Sequence, residues 1–299
     1  MNLKYAYQTG TERLRAAGVP EPELDAWYIL EHVTGTGRAA YYADPEREMT
    51  QDQADEYERC ITLRSSRIPL QHITGVQEFM GLSFHVNGDV LIPRQDTETL
   101  VETALDILAR GKSAHGTEDR DIRLLDMCTG SGCILLSVLY YAKCRAEGTG
   151  SDISAKALKI ASENARQLGI TAGFIESDLF EKIDGIFSMI MSNPPYIRST
   201  EISSLQDEVR LYDPVEALDG KEDGLYFYRK IINESPNYLE DGGWLLFEIG
   251  YDQAEDVTEL MEARGFEEIS VKKDLAGLDR VVGGVYNKAR ENEEELTNV

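Results

Sequence analysis

Apolar residues recur at helical spacing in EPELDAWYILEHV and again in MTQDQADEYERCITLR, with no strand-like alternation between them, so residues 1–75 are predicted to form a small helical domain. EFMGLSFHVNGDVLIP then presents two short apolar segments around Asn87-Gly88, a pair suited to a type I′ turn, and a β-hairpin is predicted within a connector over 76–93. From residue 94 the pattern changes. TETLVETALDILARG, GCILLSVLYYAK and SAKALKIASENARQLG carry helical spacing, whereas IRLLDM, FIESDLF and FSMIMSN are compact apolar runs of strand length. Such alternation predicts an α/β domain with a doubly wound, mostly parallel sheet. YFYRKIINESPNYL, GWLLFEIG and QAEDVTELMEARG extend it as helix, strand and helix. EEISVKK and RVVGGVY, two strands with a short connection, predict an antiparallel pair at the sheet edge. This domain is drawn over 94–289, followed by an acidic tail over 290–299.

Composition and charge narrow the partners. The 299 residues are 42% hydrophobic and 28% charged, as expected of a soluble globular protein, and 54 acidic against 30 basic residues give a formal net charge of -24. That excess repels a polyanion unless basic groups are strongly clustered, so no direct DNA binding is expected. No run of eighteen apolar residues occurs and MNLKYAYQTGTERLRAAG has no basic-then-apolar leader, so no membrane association and a cytoplasmic location are expected. Cys60, Cys128, Cys133 and Cys144 form no C-x-x-C pair, and His32, His72, His85 and His115 are scattered. Reduced thiols and no metal site are expected.

The chemistry concentrates where predicted strands end. LLDMCTGSGCI, residues 124 to 134, is a buried-strand pattern, a turn through Cys128, Thr129, Gly130, Ser131 and Gly132, and an apolar helix start. Glycines admit a ligand close to the backbone, and a helix start offers unpaired N–H groups; an empty strand-to-helix turn is the plain alternative. No Lys-Ser or Lys-Thr follows the glycines, as a nucleoside-triphosphate loop requires. Asp152 in GTGSDIS falls at the expected end of the next strand, where a carboxylate can accept both hydroxyls of a ribose; its plain alternative is a helix cap, which Ser154 can equally supply. Asp178, in ESDLF, falls at the end of a third strand, within reach of an adenine amino group. Acid-ended strands without a phosphate-binding lysine suit S-adenosylmethionine as cofactor.

MSNPPYIRST, residues 191 to 200, ends the apolar run FSMIM with Asn193, two prolines and an exposed-looking tyrosine. Pro194 and Pro195 restrict φ and donate no N–H, so the chain leaves the sheet stiffly. The Asn193 amide, the Pro194 carbonyl and the Tyr196 ring are then expected in nearly fixed mutual geometry, suited to a small planar polar group. An ordinary turn is the alternative. The same motif suits an amide NH₂ or the exocyclic amine of a flipped adenine, and the acidic balance favours the amide.

A parallel sheet closed by an antiparallel hairpin is the arrangement of Rossmann-like, S-adenosylmethionine-dependent methyltransferases. Over most of its length the chain resembles the HemK-like protein-(glutamine-N(5)) methyltransferases, through PLQHITGVQEFMGLSFHVNGDVLIPRQDTETLVE, LLDMCTGSGCI, SDISAKALKIASENA, ESDLF, SNPPYI, FEIGYDQ and DLAGLDRVV. That resemblance implies methyl transfer to the glutamine of the Gly-Gly-Gln loop of bacterial peptide chain release factors, with the release factor as partner. By motif position it implies cofactor binding by Cys128, Thr129, Gly130, Ser131, Gly132, Asp152, Asp178, Leu179 and Asn193. It places the substrate glutamine on Asn193, Pro194, Pro195 and Tyr196, with Asn193, Pro194 and Tyr196 as catalytic residues. Cys128 stands where the family usually has glycine, Gln95 where it has proline, and His72 where it often has tyrosine. At Cys128 a negative φ is expected, leaving Gly130 and Gly132 to make the turn. The alternatives are a DNA adenine amino-methyltransferase and a non-catalytic cofactor-binding protein.

Overall fold

A computed structural model describes residues 1–114 and 122–288. The tail predicted over 290–299, and His115, lie outside the described residues. The contacts divide the chain into two compact units, Met1–Val76 with Leu205–Tyr212, and Gln77–Ser204 with the chain from Asp213 onward.

In the first unit, α1 (Leu3–Ala16), α2 (Pro22–Thr34), α3 (Arg38–Ala43), α4 (Gln51–Ser65) and α5 (Leu70–Thr74) follow the helical spacing of the sequence. Their ends carry local signals: Asn2 caps α1, Pro22 opens α2 and Gly35 closes it in the left-handed region, and Thr50 with Gln53 forms a capping box on α4. Leu14, Ile29, Leu30, Tyr57 and Ile61 form the core. A Cβ at Gly10 would strike the Tyr57 hydroxyl, so glycine permits the close approach of α1 to α4. Residues 205–212, which the sequence reading leaves within 94–289, belong here. The first unit carries α9 (Asp207–Tyr212), whose Glu208 accepts from Arg64 at 3.1 Å and Arg67 at 2.6 Å, while buried Arg64 also donates to Asp25 at 2.6 Å.

The predicted hairpin turn moves. β1 (Val76–Phe79) and β2 (Leu82–His85) join through Met80-Gly81, with φ of 52° and 70°, the two left-handed residues a type I′ turn requires. Asn87 lies beyond β2 and closes a local turn by accepting the Asp89 N–H at 2.8 Å; the chain after it runs to Pro93 rather than into a strand.

The second unit continues with α6 (Glu98–Ala114), β3 (Ile122–Met127), α7 (Cys133–Tyr141), β4 (Ala146–Asp152), α8 (Ala155–Leu168), β5 (Gly173–Glu176) and β6 (Phe187–Ser192). After the α9 excursion come α10 (Tyr226–Glu234), β7 (Leu239–Glu248), α11 (Ala254–Ala263), β8 (Phe266–Lys273) and β9 (Asp279–Tyr286). The sheet order is β5-β4-β3-β6-β7-β9-β8, parallel from β5 through β7, with β9 antiparallel between β7 and β8. This confirms the mostly parallel sheet with an antiparallel edge. Continuous apolar runs in β3 and β6 bury Leu124, Leu125, Met189, Ile190 and Met191, as strands covered on both faces require. The order reverses about β3, which places a crevice at the carboxyl ends of the central strands. Among the described residues, no helix is long and apolar enough to cross a membrane.

Candidate active site at the carboxyl ends of the parallel strands

Backbone pairing sets the site. Met127 of β3 is in register with Ser151 of β4 and Ser192 of β6, so the residues that follow them, Cys128, Asp152 and Asn193, leave three adjacent strands side by side. Ser192 is fully buried and its hydroxyl donates to the Met127 carbonyl at 2.7 Å, fastening β3 to β6 where both strands end. A cavity of about 520 Å³ opens at this edge, within the size range of small-molecule sites.

Cys128, Thr129, Gly130 and Ser131 form one wall, whereas Gly132 at the start of α7 does not reach the lining. Thr129 turns inward, its hydroxyl donating to Asp126 at 2.5 Å, and the same Asp126 oxygen accepts the Leu135 N–H at 3.3 Å. Burial pushes the Asp126 carboxyl up to about 7. Asp152 accepts the Gly130 N–H with one oxygen and the Ser154 N–H with the other, both at 2.9 Å, and burial raises its pKa. Ser154, not Asp152, caps α8, accepting from the Ala157 N–H at 3.2 Å. The Asp152 carboxylate therefore organises the glycine loop and also lines the cavity. Asn164, which the sequence reading did not single out, braces the loop from behind: its amide donates to the Ser131 carbonyl at 2.9 Å and the His85 carbonyl at 3.1 Å. A polar residue inside the amphipathic α8 was the available signal.

Cys128 departs from expectation. Its φ is +60°, not negative, so three alternating residues, Cys128, Gly130 and Gly132, are left-handed and only two are glycines. The β3–α7 turn reverses too tightly for Gly130 and Gly132 to make it alone. Leu179, which lines the cavity beside the exposed Asp178, is left-handed as well (φ +47°), with its carbonyl held by the Ser177 hydroxyl at 2.8 Å.

The predicted substrate residues separate. Asn193 and Pro195 line the cavity, whereas Pro194 and Tyr196 do not. The Tyr196 ring, expected to be exposed, is partly buried against the core; its hydroxyl donates to Glu248 at 3.4 Å, and burial raises its pKa. The ring folds back because β7 offers it a carboxyl partner and an apolar bed. Glu248, unassigned by sequence reading, ends β7 opposite Val281 of β9, one residue past the Phe247–Ser192 pair, and is pushed up to about 7, chiefly by burial.

The lining fits S-adenosylmethionine. Asp152 and Asp178 offer carboxylates at neighbouring strand ends, and Ile153, Leu179 and Phe227 supply apolar surface. A Cβ at Gly130 would meet nothing within 4 Å, so the loop leaves room beside it. Two lining hydroxyls, Ser131 Oγ and Ser151 Oγ, are buried without a hydrogen-bond partner, as polar atoms awaiting a ligand are.

Family models match twice: the PrmC N-terminal domain over residues 6–75 and the methyltransferase small domain over 105–208. A release factor glutamine methyltransferase of Agrobacterium fabrum is 41% identical over 273 residues, 91% of this chain and 93% of that protein. The chain belongs to the release factor glutamine methyltransferases. A second such enzyme, from Caulobacter vibrioides, is 37% identical over 290 residues, covering 96% of this chain and 97% of its own. Among solved structures, the hMettl16 catalytic domain in complex with a 3′UTR hairpin shares 16% identity at a TM-score of 0.54, over 79% of this chain and 82% of that one, a likeness of fold alone. As a release factor glutamine methyltransferase the chain is an enzyme that uses S-adenosylmethionine, and its glycine loop, Asp152 and Asn193 face one cavity.

Proposed function

We propose that the chain methylates the side-chain amide nitrogen of the glutamine in the Gly-Gly-Gln loop of bacterial peptide chain release factors, in the cytoplasm. The observation that carries this reading is the register that brings Cys128, Asp152 and Asn193 out of adjacent strands onto one crevice, in a chain of this family. Cys128, Thr129, Gly130, Ser131, Gly132, Asp152, Asp178 and Leu179 hold the cofactor, and Asn193 faces both it and the substrate. S-adenosylmethionine supplies a methyl group on a positively charged sulfur.

The amide nitrogen of glutamine is a poor nucleophile because its lone pair is delocalised into the carbonyl. The Asn193 side-chain oxygen, on the cavity wall, would accept one of its N–H bonds and hold the amide toward the cofactor, whereas the Pro194 carbonyl expected as a second acceptor belongs to a buried residue off that wall. Alignment of this kind contributes on the order of 7 to 11 kcal/mol when the attack geometry is good. Pro194 and Pro195 stiffen the chain after Asn193, and Tyr196 acts from behind, its hydroxyl held by Glu248. Asp126 and Glu248 are both buried away from the cavity wall, so neither is assigned as a base. The N-terminal helical unit docks the protein substrate; exposed Tyr5, Tyr28 and Tyr42 match the tyrosine enrichment of protein interfaces.

Mass spectrometry after incubation with S-adenosylmethionine should show one added methyl on a release factor, lost when the Gly-Gly-Gln glutamine is replaced. Methylation of adenine in DNA, with the release factor untouched, overturns the reading in favour of the nucleic-acid alternative.

A further inference from the structure

Gln253 lies in the turn between β7 and α11 and is buried, with none of its surface on the cavity wall. Its side-chain amide is fully engaged. Nε2 donates to the Tyr196 carbonyl at 3.1 Å and to the Gly224 carbonyl at 3.3 Å, while Oε1 accepts the Gly250 N–H at 2.9 Å. Two donors and an acceptor on one neutral planar group is an inventory restricted to asparagine and glutamine, and asparagine is a methylene shorter.

The backbone at Tyr196 has no slack around this contact. A Cβ at Gly220 would lie 2.7 Å from the Tyr196 Cα, and one at Gly224 would strike the Tyr196 carbonyl oxygen. Ile197 donates to the Leu218 carbonyl at 3.0 Å and accepts from the Gly220 N–H at 2.8 Å, and the Tyr196 hydroxyl is held by Glu248. Between Tyr196 and Asn193 stand Pro194 and Pro195, whose rings remove two backbone rotations. A carbonyl held at Tyr196 therefore leaves the short segment back to Asn193 fewer rotations through which to shift.

We propose that Gln253 is a positioning residue for methyl transfer, fixing the Tyr196 carbonyl and through the two prolines the aim of Asn193. This rests on the reading that Asn193 accepts an N–H of the substrate amide. Gln253→Met keeps the length of the side chain and removes all three hydrogen bonds. Its kcat on a release factor should fall about 10- to 100-fold, as a displacement of about 1 Å produces. The calorimetric Kd for S-adenosylmethionine and the KM for the release factor should stay within about twofold, since neither ligand is touched. In an Asn193→Ala background the same substitution should cause no further loss of kcat, because the group it aims is gone. Losses that multiply in the double variant, or a cofactor Kd that weakens in step with kcat, overturn the proposal. Near-normal turnover by Asn193→Ala alone instead removes Asn193 from its assigned role. Should Gln253→Met not fold, Gln253→Glu, which keeps the acceptor and loses the donor pair, is read by the same criteria.

Discussion

Glu248→Gln should make this protein more stable above neutral pH. Glu248 is 2% exposed, and one carboxyl oxygen accepts the Tyr196 hydroxyl. Burial outweighs the pull of Thr97, Arg280 and Tyr196, so its pKa rises from an ordinary 4.5 to about 7. The folded chain thus keeps a proton at Glu248 that the unfolded chain has released. Between those values folded protein binds more protons, so stability falls as pH rises through the window and does not fall further above it. Carrying one carboxyl from 4.5 to about 7 corresponds to ~3 kcal/mol. Glutamine reproduces the shape and hydrogen-bonding face of the protonated acid without this penalty. Urea unfolding should find variant and parent alike near pH ~4, with the variant ahead by up to ~3 kcal/mol near pH ~8. Buried Asp126 is also pushed up to about 7, so the parent's pH slope should shrink rather than vanish. A variant less stable than the parent near pH ~8 would refute the reasoning and show Glu248 ionised against Arg280.

Asp152→Ala should weaken S-adenosylmethionine binding by ~1.5 to 3 kcal/mol by calorimetry if a charge-assisted contact is lost, and because Asp152 also anchors Gly130 and Ser154, the same variant should lose protection of those amides in hydrogen exchange. With φ of +60° at Cys128, Cys128→Gly should hold or raise stability by up to ~1 kcal/mol, whereas branched Cys128→Val should lower it by ~1 to 3 kcal/mol; equal losses in both would show that thiol packing, not backbone strain, governs the position. Asp25→Ala leaves buried Arg64 with Glu208 as its remaining charge partner, beside the Ile68 carbonyl, and should cost about 3 kcal/mol in thermal unfolding, the low end for a broken buried pair.

Most strands and helices were legible because their cores are periodic or continuous: the runs in β3 and β6 could only be buried strands, and α8 shows its apolar stripe directly. β4 was legible only at its acidic end, since AEGTGSD has no apolar run; Gly148 and Gly150 are small there because a Cβ would meet Leu135 or Phe174. The Asn87-Gly88 pair was misleading because turn propensity says nothing about whether a strand follows. That Cys128 to Ser131, Asp152 and Asn193 come together at strand ends on one cavity was legible from the strand-and-turn pattern. Asn164, Glu248 and Gln253 were not, since each acts through partners distant in sequence and carries no local pattern. Tyr196 failed for the complementary reason: a tyrosine after two prolines looks exposed until Glu248 is placed beside it.

The Met127–Ser192 register also fixes a length. Adjacent strands lie about 4.8 Å apart, so the glycine loop and Asn193 start one rung from each other, pinned by the Ser192 hydroxyl. Slipping β6 by one pleat repeat would carry Asn193 about 7 Å along the crevice, beyond any useful approach. On the roles proposed for the glycine loop and Asn193, the spacing of their starting points is set by a hydrogen-bonded ladder inside the sheet. Surrounding loops are free to change which macromolecule is admitted while the distance of transfer stays constant, and a redesigned acceptor specificity should leave β3 and β6 untouched.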